Sequence, residues 1–288
     1  MPRRLKTAPL IKSTQAPIVL LRSQSVAATR DAQSPVATVQ LTRASRRNAL
    51  DHDTLVEIEA AFEALQGRPD VRVVILSGAG KSFCAGHDLS SSADGGGNVD
   101  ANGSSEANAN SAANSGSGDK GWPLQAQRHR MRQGARTIRA IQRADAVTIA
   151  RVQGHAIGGG FGLMLACDLR YATEDALLYL PELDLGNPVP WGLTPILIAS
   201  VGAAVAKELV LLTAELAPKR AAALGLLNGV AADQEALDSA VDAAAYAIAA
   251  RSPAAVHLAK QQFRSLQHAA SAGDVTEYEP DWMLLSRM

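Results

Sequence analysis

The chain has 288 residues, enough for one large domain or two small ones, and 47% of them are hydrophobic, enough for a sizeable core. Its 28 basic and 28 acidic residues balance, which removes any global electrostatic case for a nucleic acid or an acidic membrane as partner. Two cysteines, Cys84 and Cys167, form no disulfide framework and have no histidine or cysteine at zinc-ligand spacing, and no apolar run reaches the roughly 18 residues of a membrane span.

Residues 1–17 carry Arg3, Arg4, Lys6 and Lys12 and no acid. They read as a solvated tail, with a short mitochondrial presequence as the alternative. Residues 18–22 and 36–41 read as two strands joined by a long polar loop. Arg43, Arg46 and Arg47 then put three arginines within five residues, either a phosphate-holding group or a solvated turn. A helix follows, with Asp53 or Thr54 as cap and Glu57 completing a capping box. Leu55, Ile58, Phe62 and Leu65 give it one apolar face, and Gly67 ends it. Residues 71–77 contain four consecutive apolar positions, the signature of a strand buried on both faces.

The loop Gly78-Ala79-Gly80-Lys81-Ser82-Phe83-Cys84-Ala85-Gly86-His87-Asp88-Leu89 lacks the spacing of a nucleotide P-loop. Residues 90–118 are almost entirely Ser, Ala, Gly, Asn and Asp, too polar to order themselves, and read as a disordered insertion. A helix from Trp122 to about Arg143 combines a partial apolar stripe (Leu124, Met131, Ile138, Ile141) with six arginines, which either contact RNA or form a solvated face. The apolar strand at 147–152 leads into Gly154-His155-Ala156-Ile157-Gly158-Gly159-Gly160, where strand gives way to helix. Glycine permits positive φ and close approach, and a new helix presents unpaired N–H groups at its positive end. That arrangement suits a phosphate or a developing oxyanion; a tight packing turn is the bland alternative.

Short strands follow at 169–172 and 177–180, then the turn-rich segment Pro181-Glu182-Leu183-Asp184-Leu185-Gly186-Asn187-Pro188-Val189-Pro190-Trp191-Gly192. Helices read at 193–201, 203–213, 218–226, 234–250 and 253–268. Alternation of buried strands and helices makes the fold class α/β. The expected division is a tail at 1–17, a core at 18–200 interrupted by 90–118, and a helical region at 201–288 that serves oligomerisation or acts as a lid.

Taken together, Phe83-Cys84-Ala85-Gly86-His87-Asp88-Leu89, Gly154 to Gly160, Pro181-Glu182 with Leu185-Gly186, Asn48-Ala49-Leu50 and the segment Ala221 to Val230 resemble the enoyl-CoA hydratase/isomerase (crotonase) superfamily over about residues 18–268. The resemblance implies a spiral of ββα repeats followed by helices that build trimers, often paired into hexamers. It implies an acyl-CoA thioester as substrate, no membrane or nucleic-acid partner, no metal, and no cofactor beyond the coenzyme A carried by the substrate. It implies that the backbone N–H groups of His87 and Gly159 hold the thioester oxygen. It puts Arg46 and Arg47, with Arg43, near the CoA phosphates, and Ala49, Ala85, Gly86, Asp88, Leu89 and Gly158 along the substrate. Trp191 either walls the acyl pocket or packs in the core; Asp88 and Asp168 also read as structural, and His155 as packing behind the glycine turn.

Family hydratases use two glutamates. Glu182 matches the second, and the place of the first is Gly162. A single carboxylate next to a thioester enolate can take a proton from C2 and return it at C4, moving a double bond from position 3 to position 2 without water. The sequence therefore points to a 3-enoyl-CoA isomerase with Glu182 as base. The alternative is a hydratase in which Asp184, two residues on, supplies a second carboxylate from an extended segment. A reading from another class is a non-catalytic acyl-CoA- or RNA-binding member. The expected compartment is the cytoplasm, with the mitochondrion as the alternative.

Overall fold

The computed structural model describes residues 18–88 and 124–270; the expected tail at 1–17, the insertion at 90–118, Leu89 and Trp122 lie outside the described residues. Seven strands form one sheet in the order β1 (Ile18–Arg22), β2 (Val26–Arg30), β3 (Val36–Leu41), β4 (Val73–Gly78), β5 (Val147–Val152), β7 (Leu169–Thr173) and β9 (Gly229–Ala231). β1 to β3 pair antiparallel, and every pairing from β3 onward is parallel. Each parallel step is bridged by helix, as parallel pairing requires. A separate two-stranded parallel ribbon joins β6 (His155–Ile157) to β8 (Leu177–Tyr179).

β4 is buried at all six positions, as its unbroken apolar run predicts. The expected loop at 23–35 is instead interrupted by β2, which pairs with both neighbours. Its sequence, Val-Ala-Ala-Thr-Arg, alternates burial too weakly to stand out, and the pairing on both sides decides it.

Helix α1 (His52–Leu65) buries Leu55, Ile58, Phe62 and Leu65 as expected. Its cap is Asp51, whose carboxylate accepts from the Thr54 N–H at 2.8 Å and the Thr54 hydroxyl at 2.7 Å. Glu57 is not part of a capping box; it reaches back to accept from the Ser25 N–H at 2.8 Å. Helix α2 (Leu124–Arg143) packs on α1, where the Thr137 hydroxyl donates to the Leu55 carbonyl at 2.9 Å. Helix α3 (Gly159–Ala166) is buried at every position and passes through the centre of the core.

Helices α4 (Leu193–Val201), α5 (Ala203–Leu211), α6 (Pro218–Ala223), α7 (Gln234–Ala249) and α8 (Pro253–Ala270) follow. The last third is not purely helical, because β9 completes the main sheet beside β7. α7 covers the far face of that sheet, with Leu237, Val241 and Ala245 packed on Val73, Ile75 and Ile149. α8 is pinned by Lys260, 6% exposed, whose Nζ donates to Asp168 at 2.6 Å and to the Ala146 carbonyl at 2.7 Å. Asp168 also accepts from the Thr148 N–H and hydroxyl, so it is a structural carboxylate.

Candidate active site

The ribbon of β6 and β8 positions the site. Because these strands run parallel and in register, both deliver their next residues at the same end. β6 runs into Gly158 and Gly159, and β8 runs into Pro181 and Glu182. The Gly158 N–H donates to the Tyr179 carbonyl at 2.8 Å and locks the two exits together. The sequence reading passed directly from the strand at 147–152 to the glycine turn; β6 stands between them.

A second chain segment comes alongside. Cys84 bridges β6 at Ala156, and the Ala85 N–H donates to the Arg47 carbonyl at 2.9 Å. The Gly86 carbonyl accepts from the Leu50 N–H at 2.7 Å. In a trans peptide unit the C=O and the next N–H point in opposite directions. The His87 N–H is therefore directed away from Leu50. The same rule applies at the helix start, where the Gly158 carbonyl accepts from the Gly162 N–H at 3.0 Å, so the Gly159 N–H points out of the N-terminal end of α3. The two loops touch: a Cβ placed on Gly86 would lie 2.6 Å from the Ile157 carbonyl oxygen and 3.6 Å from the Gly159 nitrogen. Gly86 also has φ +89, the left-handed region that favours glycine.

Glu182 lies against this turn. Its Oε1 is 2.8 Å from where a Gly158 Cβ would be, and its Oε2 is buried with no hydrogen-bond partner among the described residues. Burial pushes its carboxyl up from 4.5 to about 7, because the buried anion loses its hydration. A carboxyl that titrates near neutrality can both take and return a proton.

The position of the absent first glutamate is filled. A Cβ on Gly162 would meet Leu193 Cδ1 at 2.7 Å and Cδ2 at 3.0 Å. Trp191 is 8% exposed, and its ring covers Gly159, with Cη2 2.5 Å from the place of a Cβ. The other side of the ring presses on Gly134 of α2, so Trp191 belongs to the core and at the same time faces the glycine turn. The sequence reading missed Leu193 and Gly134. Gly134 carried a signal, since a glycine in mid-helix costs about 1 kcal/mol and marks close approach.

Asp184 does not join Glu182. Residues 182–186 form a turn, with the Asn187 N–H returning to the Glu182 carbonyl at 2.9 Å, so the extended i, i+2 geometry is absent. The Asp184 carboxylate accepts instead from the Tyr179 hydroxyl at 2.8 Å and the Thr213 hydroxyl at 3.0 Å. Asp88, which the sequence reads both as lying along the substrate and as structural, is tied into the fold. It is 5% exposed and accepts from Arg43 at 2.8 Å. That guanidinium also pairs with Asp51 at 3.1 Å and donates to the Ala49 carbonyl, so Arg43 is half-buried and tied to the loop that carries Asp88. Arg46 and Arg47 are exposed on the same turn.

Cys84 packs behind the glycine turn, and its thiol, like that of Cys167, is pushed up to about 12 by burial, which makes both inert. His155 is half-buried, with Nδ1 3.0 Å from the Ser82 hydroxyl; burial first, and Arg47 second, hold it below its ordinary value. Among the described residues no group of acids, histidines and cysteines is arranged to hold a metal, and no helix is long and apolar enough to cross a membrane.

The family profile described as enoyl-CoA hydratase/isomerase matches residues 31–113 and 120–286. The chain is 34% identical over 227 residues to the peroxisomal Delta(3,5)-Delta(2,4)-dienoyl-CoA isomerase of Arabidopsis thaliana, covering 79% of this chain and 76% of that one. It is 31% identical over 234 residues to the mitochondrial enzyme of the same name from Mus musculus, covering 80% of this chain and 65% of the mouse protein's length. The crystal structure of an enoyl-CoA hydratase from Bacillus anthracis superposes with a TM-score of 0.70 at 28% identity, covering 89% of this chain and 90% of that one. The α/β architecture is the crotonase fold, and the chain belongs to the enoyl-CoA hydratase/isomerase family of enzymes.

Proposed function

We propose that the protein isomerises 3-enoyl-CoA to 2-enoyl-CoA, with Glu182 as the only acid–base group. The thioester oxygen sits between the N–H groups of His87 and Gly159, and Arg46 and Arg47 lie toward the CoA phosphates. Glu182 takes a proton from C2, the electron pair moves into a dienolate whose oxygen the two N–H groups stabilise, and the same carboxyl returns the proton at C4. Losing one such donor costs about 2.7–4 kcal/mol of transition-state stabilisation.

The observation that carries this reading is the unpartnered carboxylate: among the described residues Glu182 Oε2 finds no hydrogen bond beside Gly158, Leu193 fills the space next to Gly162, and Asp184 is held by Tyr179 and Thr213. One carboxyl reaches both C2 and C4. A 3,5- to 2,4-dienoyl shift delivers the proton to C6, two bonds further on, and asks for a second acid. The exposed apolar residues Leu211, Leu212, Leu258 and Phe263 of the C-terminal helices support the expected trimer or dimer of trimers. The relatives are named peroxisomal and mitochondrial; the compartment proposed for this chain is the cytoplasm, with the mitochondrion as the alternative.

The test supplies the enzyme with 3-hexenoyl-CoA, a 3,5-dienoyl-CoA and crotonyl-CoA and follows the absorbance of the conjugated thioester. The reading expects turnover of the first to exceed the other two. Faster hydration of crotonyl-CoA would replace it.

A further inference from the structure

We propose that Leu193 fixes the outcome of the reaction by keeping water away from Glu182, an inference that rests on the reading of Glu182 as the base. Gly158 caps α3, and its carbonyl accepts from the Gly162 N–H at 3.0 Å, so the two glycines bracket the first turn of the helix. The side-chain place of Gly158 is taken by the Glu182 carboxylate, and that of Gly162 by the methyl groups of Leu193. The carboxylate and the Leu193 methyl groups therefore lie at the two ends of that first turn.

Leu193 is held there firmly. It is 1% exposed, opens α4, and its N–H donates to the Pro190 carbonyl at 3.3 Å. Gly192, at φ +72, turns the chain between Trp191 and Leu193 so that one short segment lays both side chains along the glycine face of α3. A water that is to attack carbon needs two to four polar partners to hold it. The buried Oε2 of Glu182 has no partner among the described residues, and the nearby acid Asp184 is held by Tyr179 and Thr213, so no second carboxylate stands ready to anchor one. A proton shuttle between C2 and C4 needs none. A side chain at 162 and a leucine at 193 compete for the same space, so the two positions act as one choice.

The test has two arms. In deuterated water, product made from 3-hexenoyl-CoA by the wild-type enzyme should carry little solvent label at C4, and Leu193→Ala should raise that label at least severalfold, because water now reaches the carboxylate to exchange its proton. Leu193→Val, milder on packing, should raise it by less, and the melting temperature of each variant reports its folding. In the second arm Gly162→Glu alone should hydrate crotonyl-CoA no faster than wild type, while Gly162→Glu with Leu193→Ala should gain roughly 100-fold, the usual worth of a positioned acid–base group. Unchanged label in a folded, active Leu193→Ala enzyme, or equal hydration by Gly162→Glu with and without Leu193→Ala, overturns the role of Leu193. Absence of wild-type turnover on 3-hexenoyl-CoA overturns the base instead, and the hydration arm then still decides Leu193.

Discussion

Replacing Glu182 with glutamine should remove catalysis and lessen the loss of stability on going from acid to alkaline solution. The native carboxyl titrates near 7 against an ordinary 4.5, because burial disfavours the anion. The fold thus binds this proton more tightly than the unfolded chain does. Its stabilising effect is fully present below pH 4.5 and is lost as pH rises through about 7. A difference of 2.5 pKa units corresponds to about 3 kcal/mol between the acid and alkaline limits, of which about 2–3 kcal/mol falls between pH 5 and pH 9. Glutamine does not titrate, so the stability of Glu182→Gln relative to wild type should improve by that amount over the same interval. The cost of burying the amide itself is the same at every pH and cancels in the comparison. Urea denaturation of both proteins at pH 5, 7 and 9, at one protein concentration, measures it. Parallel stability curves for the two proteins would refute the argument that burial of Glu182 in the fold raises its affinity for the proton.

Gly86→Ala should lose about 1–3 kcal/mol of stability, since its Cβ would lie 2.6 Å from the Ile157 carbonyl at a φ of +89, and thermal melting reads this directly. Asp184→Asn keeps acceptors and donors for Tyr179 and Thr213 and should change turnover by less than about tenfold, whereas loss of a true acid–base group costs about 100-fold or more. Lys260→Met removes the two hydrogen bonds that fasten α8 to Asp168 and the Ala146 carbonyl; urea denaturation should show a loss of about 1.5–3 kcal/mol.

The loops that meet at the site were legible because their chemistry is local. Glycines at 86 and 158–160 announce positive φ and close approach, and Glu182 follows Pro181 at a fixed distance from them. What surrounds them was not legible, because it depends on contacts between distant residues. Nothing in Leu193 itself says that it fills the place of a side chain at 162, and nothing in Trp191 says that it lies between two glycines 25 residues apart in sequence, Gly134 and Gly159. The alternative role of Asp184 turned on secondary structure: an extended segment would aim it with Glu182, but the 182–186 turn sends it to Thr213. Arg43 could not be told from Arg46 and Arg47 by composition; its pairing with Asp51 and Asp88 is set by the fold. β2 and β9 are short strands whose existence depends on a waiting sheet edge more than on their own pattern.

The central claim is that one carboxyl carries the proton. Single-turnover conversion of 3-hexenoyl-CoA by wild type and Glu182→Gln, with thioester binding measured separately, tests it most directly. Loss of the base should lower the rate by about 100- to 10,000-fold while binding is retained. A Glu182→Gln enzyme that isomerises at the wild-type rate would contradict the account.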